Sequence, residues 1–410
     1  MPTESKIIND PVLGFIKVPR GLIYDLVCHP IVQRLTRIRQ LGLSSVVYPG
    51  AQHTRFQHSL GAFHLMSEAI RELTAKGHFI FDSEAEAVEA AILLHDVGHG
   101  PFSHVLERTL VHGITHEEIS LLLMERINRE MNGQLTLAIR IFRDQYPKRF
   151  LHQLVSGQLD MDRLDYLRRD SFYTGVSEGN IGPARIIKML DVKDDRLVVE
   201  AKGIYSIENF LTARRLMYWQ VYLHKTSVAC EQLLVNTLKR ARQLAAAGDT
   251  HLFASPALRF FLCNDVDAAR FRNDPDAPEH FLLLDDNDIW TALKAWMHHP
   301  DRVLALLADG MVNRRLYKVE VSPTPFPEER QAQLRARIAQ ALDIPPADAC
   351  YFLSTPDIES NMYNPTDDSI DILFSDGTTR GIAEASDMFD IALLSRTVKK
   401  HFLCYWRLPL

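Results

Sequence analysis

Cysteine is scarce in this chain, and it is never paired at short range. The five cysteines (Cys28, Cys230, Cys263, Cys350 and Cys404) are scattered, and no two stand as Cys-x-x-Cys. This argues against a disulfide framework or a thiolate zinc site and leads us to expect a reducing, cytoplasmic setting. Long apolar runs are missing as well. No stretch approaches the roughly 18 residues that a membrane-spanning helix requires, and residues 1–6 carry no apolar signal core. Nor is positive charge in excess. Lys and Arg number 46 against 52 Asp and Glu, a formal charge of -6, which argues against a chain built to coat nucleic acid or an anionic membrane. A local basic pocket for a phosphorylated small molecule remains compatible with that balance. There is no repeat of fixed period and no low-complexity tract.

What is present is ordinary globular material. Of 410 residues, 46% are hydrophobic and 24% charged, enough for a sizeable core and for roughly two or three domains. Residues 7–19 read as two short extended pieces around the Asp10-Pro11 turn. Helical periodicity over 21–41 is broken at His29-Pro30. Arg34, Arg37 and Arg39 read as a solvated basic face, with a phosphate or subunit contact as the alternative. Helices then crowd the chain at 58–76, 83–95, 116–131, 135–144, 160–170 and 207–244, the second with a Ser83/Glu86 capping box. Beyond residue 250, Pro256, Pro275 and Pro278 mark loops, and helices follow at 288–298 and 301–309. The acidic run Asp285-Asp286-Asn287-Asp288 reads as a helix cap rather than a cation site. From about Arg315 the pattern becomes a strand (316–321), an Arg-rich helix (327–342) and strands at 350–353, 370–374 and 405–408, with Asp376-Gly377 as a tight turn. The expected architecture is mainly α. A helical body would occupy residues 1–310, with its core at about 50–245. A smaller carboxy-terminal α+β module would occupy 311–410 and serve packing, oligomer contact or regulation.

Chemistry concentrates between residues 54 and 116. An apolar helix end, Ala91-Ile92-Leu93-Leu94, turns abruptly into His95-Asp96-Val97-Gly98-His99-Gly100-Pro101-Phe102-Ser103-His104, and His116-Glu117 follows. His58 lies before this run, and Asp160-Met161-Asp162-Arg163-Leu164-Asp165-Tyr166 after it. One His, a His-Asp pair and a later Asp form a nitrogen and oxygen set suited to a divalent first-row metal. Gly98 and Gly100-Pro101 end the helix near His99, which sits on the last turn or just past it. Arg214, Tyr218, Tyr222 and Lys225 fall on one helical stripe, which either packs in the core or faces a ligand.

These strings resemble the HD phosphohydrolase superfamily, since His58, His95-Asp96 and Asp162 look like its H…HD…D signature. Arg55-Phe56-x-His58-Ser59-Leu60-Gly61, the His95 to His104 string and Asp162-Arg163-x-Asp165-Tyr166-x-x-Arg169-Asp170 are similar to its deoxynucleoside triphosphate triphosphohydrolase branch. The likeness covers residues 6–170, continues at 217–225 and weakens toward the carboxy terminus. It implies an HD-domain helical body, with His58, His95, Asp96 and Asp162 as ligands of one divalent ion (Mn, Fe, Mg, Zn or Ni). Such an ion would polarise the α-phosphoryl group and activate a water. The resemblance also sets His99, His104 and His116 around the phosphates, with His116 and Glu117 as the acid/base pair. The alternative for His116 is a surface histidine at a helix start. Arg55 would approach the α-phosphate, Arg163 would stand where the family has a lysine, and Arg214 would hold the triphosphate. Tyr166 would stack beneath the deoxyribose and exclude a 2′-hydroxyl, Asp170 would accept from the 3′-hydroxyl, and Gln40, Leu41 and Tyr222 would touch sugar or base. Tyr218 replaces a family histidine facing the substrate and Glu107 an aspartate, and both changes bear on base or sugar preference.

The implied activity is metal-dependent hydrolysis of a dNTP to deoxynucleoside and intact triphosphate, in a homo-oligomer (dimer or tetramer). The vertebrate member binds a guanine activator through an aspartate and an arginine, whose aligned positions here are Cys28 and Thr36. We therefore expect either no guanine requirement or a different activator. Two rival readings remain. One is a phosphodiesterase or phosphatase on other nucleotides or single-stranded nucleic acid, and the other is a nucleotide sensor without turnover.

Overall fold

A computed structural model of the chain describes residues 5–360, 369–387 and 398–408. Helices dominate it, as the 3.6-residue periodicity requires. The Arg55–Ala75 helix begins at a reciprocal cap, in which the Thr54 hydroxyl accepts from the Gln57 amide and the Gln57 side chain accepts from Thr54 N–H. The Met161–Thr174 helix starts on the Asp160 side chain and stops at Gly175, whose φ of 73° is left-handed. The two helices cross at Gly61. A Cβ there would lie 2.0 Å from Asp165 Oδ1 and 2.2 Å from the Arg169 guanidinium, so glycine alone permits this approach.

Beneath the crossing lies a buried ion network. Arg169 donates to Asp165 at 2.8 Å and to Asp10 at 2.7 Å. Asp10 ends the first strand of an antiparallel hairpin, Ser5–Asp10 with Gly14–Pro19, and its carboxylate also accepts from Val12 and Leu13 N–H in the turn. The two extended pieces at the amino terminus are thereby tied to the central helices.

Several elements differ from expectation. Periodicity over 21–41 breaks at His29-Pro30 as expected, into Leu22–Cys28 and Pro30–Gln33, but the second piece gives way after one turn to a 3-10 turn, Arg34–Arg37. The helix expected at 207–244 is split into Ile204–Met217, a π-helical turn Tyr218–Tyr222 and Lys225–Ala246. Tyr222 reaches across from that turn to Asp170, a tertiary contact that outweighs regular helical spacing. Because the helix restarts at Lys225, that lysine is exposed and leaves the stripe formed by Arg214, Tyr218 and Tyr222. The cap expected at Ser83/Glu86 forms instead at Glu84, which accepts from Phe81 N–H at 2.9 Å. The Glu84 carboxylate is held there by Lys148 and Tyr146.

The carboxy-terminal region is α+β. Val398–Tyr405 pairs antiparallel with Lys318–Ser322 on one side and with Leu353–Ser354 and Asp357–Ser360 on the other, beside the Glu328–Leu342 helix. The last strand ends at Tyr405 rather than starting there. Residues 346–352 form a 3-10 turn, so the strand expected at 350–353 begins only at Leu353. Asp371–Leu373 leaves this sheet and pairs parallel with Arg196–Glu200 of the helical body. The Asn236 amide bonds the Tyr317 hydroxyl, the Tyr351 carbonyl and the Ser354 hydroxyl, fastening the region to the Lys225–Ala246 helix. No helix among the described residues is long and apolar enough to cross a membrane.

Gly61→Ala should destabilise the chain by about 1–3 kcal/mol or more, because the new methyl meets two buried charged groups that cannot retreat. Urea unfolding would measure it, and a midpoint equal to the wild type would contradict the close crossing.

Candidate active site

The Arg55–Ala75 helix presents His58 from its first turn, and Gly61 lets the Met161–Thr174 helix bring Asp162 and Asp165 against it. His58 Nδ1 donates to Asp165 Oδ2 at 2.8 Å, so its Nε2 is directed the other way. The Asp82–Leu94 helix ends just before His95, whose Nδ1 donates to the Ile92 carbonyl at 2.6 Å. With both Nδ1 atoms committed, the two Nε2 atoms face each other 3.3 Å apart. Asp162 Oδ1 lies 3.0 Å from the first and 3.5 Å from the second. Asp96 Oδ1 is 3.4 Å from His95 Nε2, and Asp96 Oδ2 is 3.9 Å from His58 Nε2.

Two neutral imidazoles cannot hydrogen-bond each other through Nε2, and two buried carboxylates beside them call for positive charge. Proton affinity reports the same demand. Burial opposes the charged ring of His58, but Asp162 and Asp165 outweigh it and push the pKa up to about 10. His95 is raised against burial by Asp96 and Asp162. Burial raises Asp162, yet its bonds to His58 and His95 hold it far below the ordinary carboxylate range. Donor atoms of His58, His95 and Asp162 all lie within 4.8 Å of one another, and this set of nitrogen and oxygen donors fits a divalent metal ion. Asp165 and the Ile92 carbonyl supply the outer hydrogen bonds that fix metal-ligating imidazoles.

The turn after His95 is set by glycine and serine. A Cβ on Gly98 would lie 2.1 Å from the His116 carbonyl, so the start of the His116–Glu130 helix packs directly on this turn. The Ser120 hydroxyl accepts from Gly98 N–H at 2.9 Å and donates to the His95 carbonyl at 2.6 Å. His99 donates from Nε2 to Asp96 Oδ1 at 3.2 Å, has the Ser103 hydroxyl 2.6 Å from its Nδ1, and stacks on His116 with ring centroids 3.8 Å apart. Burial and the neighbouring Arg55 guanidinium drive the His99 pKa down to about 3, so its ring is neutral. His116 places Nδ1 at 3.3 Å from Glu107 and Nε2 at 3.2 Å from Glu117, a ring held between two carboxylates. His104 belongs to the Ser103–Thr109 helix, but its side chain lies outside the described set.

Two cavities meet here. One, of about 430 Å³, is lined by His95, Asp96, His99, His116, Glu117, Asp162 and Arg163. The other, of about 520 Å³, is lined by Leu41, Asp170, Tyr218 and Tyr222. Gln40, Arg55 and Tyr166 line both and form the passage between them. Arg55 donates from one guanidinium nitrogen to Asp96 at 2.7 Å, while its buried Nε has no partner among the described residues. Arg163 is anchored to Asp160, and among the described residues its buried Nε has no partner, nor has Gln40 Oε1. Arg214 lines neither cavity and donates to Gln158 at 3.1 Å.

Several participants were not legible in the sequence. Arg34, read as part of a solvated face, is 1% exposed and donates to the His99 carbonyl at 2.8 Å and the Leu284 carbonyl at 3.3 Å. Arg37 pairs with Asp285 at 2.6 Å, and Asp286 accepts from Arg39 N–H at 3.0 Å. The acidic run does cap its helix, since Asp285 accepts from Asn287 N–H at 2.8 Å, but it also clamps the arginine turn from about 250 residues away. Asp165 had a legible signal, lying one turn after Asp162 on the same helix face. Asp357, Ile358 and Glu359 come from a strand that was not expected, in a region assigned to packing, oligomer contact or regulation, yet they wall the larger cavity.

Comparison with known proteins places this geometry. The HD domain family matches residues 55–170, and the HD associated region matches residues 181–254. A solved phosphohydrolase from Bacteroides thetaiotaomicron is 72% identical, with a TM-score of 0.96 over 98% of this chain and 100% of that one. An uncharacterized protein of Bacillus subtilis, YwfO, is 31% identical over 94% of this chain and 88% of its own length. The Dictyostelium discoideum protein named as a deoxynucleoside triphosphate triphosphohydrolase SAMHD1 homolog is 30% identical over 60% of this chain, which spans about half (51%) of that relative.

After loading with manganese and dialysis, elemental analysis should find the wild type carrying a divalent ion and His58→Ala losing it. Asp165→Asn should weaken metal affinity by about 10–100-fold through the lost outer hydrogen bond. Full metal retention by a folded His58→Ala variant would rule out the donor set described above.

Proposed function

The chain belongs to the HD-domain phosphohydrolase family, and on that premise we propose that it hydrolyses deoxynucleoside triphosphates to deoxynucleoside and intact triphosphate. The supporting observation is the pair of cavities that meet at Gln40, Arg55 and Tyr166. One is lined by His95, Asp96 and Asp162 together with the cationic groups that a triphosphate needs, and the other is large enough for a sugar and base. A divalent ion held by His58, His95, Asp96 and Asp162 would supply Lewis-acid polarisation of a phosphoryl oxygen and activation of water at neutral pH.

The chain's own residues do the rest. The unpartnered Nε atoms of Arg55 and Arg163 sit buried where a phosphate would satisfy them, and desolvation strengthens such charge-assisted bonds. His116, poised between Glu107 and Glu117, is the acid/base group, with neutral His99 stacked against it. Tyr166 separates the two cavities and packs edge-on to His58 and Tyr222, a placement suited to closing over the deoxyribose. Asp170 faces the larger cavity to accept from the 3′-hydroxyl. The name carried by the Dictyostelium relative agrees with this reading. We also propose a cytoplasmic homo-oligomer of chains, each with a helical body over 1–310 and an accessory region over 311–410.

Incubation with each dNTP and Mn or Mg should release tripolyphosphate, and Asp96→Asn should reduce turnover to background. Release of only orthophosphate or pyrophosphate would favour a phosphatase instead, and absence of any turnover would favour a sensor. Turnover should not require GTP, because Cys28 and Thr36 replace the activator-binding aspartate and arginine. An assay with strict GTP dependence would refute that.

A further inference from the structure

Behind the sugar side of the larger cavity lies a residue that the chemistry above does not use. His53 is 2% exposed, and its Nε2 donates to Asp170 Oδ1 at 2.7 Å. The other Asp170 oxygen accepts from the Tyr222 hydroxyl at 2.8 Å. The His53 ring stacks on Tyr173 with centroids 4.4 Å apart and 16° between planes. Tyr173 is itself fixed. Its hydroxyl accepts from Gln57 at 3.2 Å, and its carbonyl lies against Gly50, where a Cβ would approach to 2.7 Å. The His53 carbonyl accepts from Gln40 N–H at 3.0 Å. One residue thus holds two groups that face the cavity, Asp170 through its side chain and Gln40 through its backbone.

His53 Nδ1 is buried without a partner among the described residues, so the ring links Asp170 to no deeper polar chain there. Its single polar bond is the one that sets the Asp170 rotamer. A carboxylate that recognises a hydroxyl must be held so that one lone pair stays aimed at the ligand site, and an imidazole N–H on one oxygen with a phenol on the other does this. We propose that His53 is the positioning residue for Asp170 and through it sets discrimination at the nucleotide 3′-hydroxyl. This rests on the reading of the cavity as a dNTP pocket. A residue that served only the packing of this wall would affect all nucleotides alike.

The test compares kcat/KM for a dNTP and for the matching 2′,3′-dideoxynucleoside triphosphate in the full chain with manganese. Wild type should favour the dNTP. His53→Phe keeps the stack on Tyr173 but has no donor, and it should shrink that preference about tenfold or more, chiefly through KM. His53→Gln, which restores an N–H at similar reach, should recover most of it. If the Phe variant does not fold, His53→Asn, whose amide stops short of Asp170, carries the same expectation. A folded donor-less variant with an unchanged ratio overturns the inference, as does a wild type indifferent to the 3′-hydroxyl. A wild type inert on every dNTP overturns the dNTP reading itself, and the role of His53 falls with it.

Discussion

The bond from His58 Nδ1 to Asp165 is the constraint on which the site depends. It fixes the tautomer, and with it the direction in which the Nε2 lone pair points. Asp165 can do this because Arg169 neutralises it in the interior and Asp10 shares the arginine. Burying these charges is costly, and the network is tolerable only because each carboxylate oxygen and guanidinium nitrogen is matched. Gly61 makes room for it, since any side chain there would overlap Asp165 and Arg169. A hairpin, a helix crossing and a metal donor are thus parts of one arrangement.

A second buried arginine acts on the turn after His95. Arg34 grips the His99 carbonyl, while Arg37 and Arg39 are clasped by Asp285 and Asp286 at the start of the Asp286–Trp296 helix. Burial drives Asp286 up to about 6, against the opposing influence of Arg39. The loop that carries His99 is therefore held by residues that precede it by 65 positions and follow it by nearly 190. The larger cavity has a comparable dependence. Two of its tyrosines, Tyr218 and Tyr222, sit on the π-helical turn, where Trp219 lies 3.5 Å beneath the Lys400 ammonium of the carboxy-terminal sheet. That contact, with the strand bearing Ile358, gives the carboxy-terminal region a structural part in the pocket wall.

How much was legible in the sequence depended on the range of the interaction concerned. The helices expected at 58–76, 116–131 and 160–170 rest on local periodicity and appear as Arg55–Ala75, His116–Glu130 and Met161–Thr174, each started by a cap, Thr54, Thr115 or Asp160, whose partner lies three residues away. The Asp285 cap was legible for the same reason. The break at Tyr218 was not, because Tyr222 leaves regular spacing to reach Asp170. The strand expected at 350–353 failed similarly, since alternation cannot report that residues 346–352 curl into a turn against the Lys225–Ala246 helix.

Short-range spacing of residue types was enough to give the mainly helical class, the clustering of His95, Asp96, His99 and His116, and the family to which those strings belong. That Arg34 is an interior strut, that His53 stands behind Asp170 and that a carboxy-terminal strand walls the larger cavity emerged from the folded chain alone. A charged or polar side chain looks the same in sequence whether it meets water or a buried partner. The difference arises when segments far apart in the chain close on one another and exclude solvent between them.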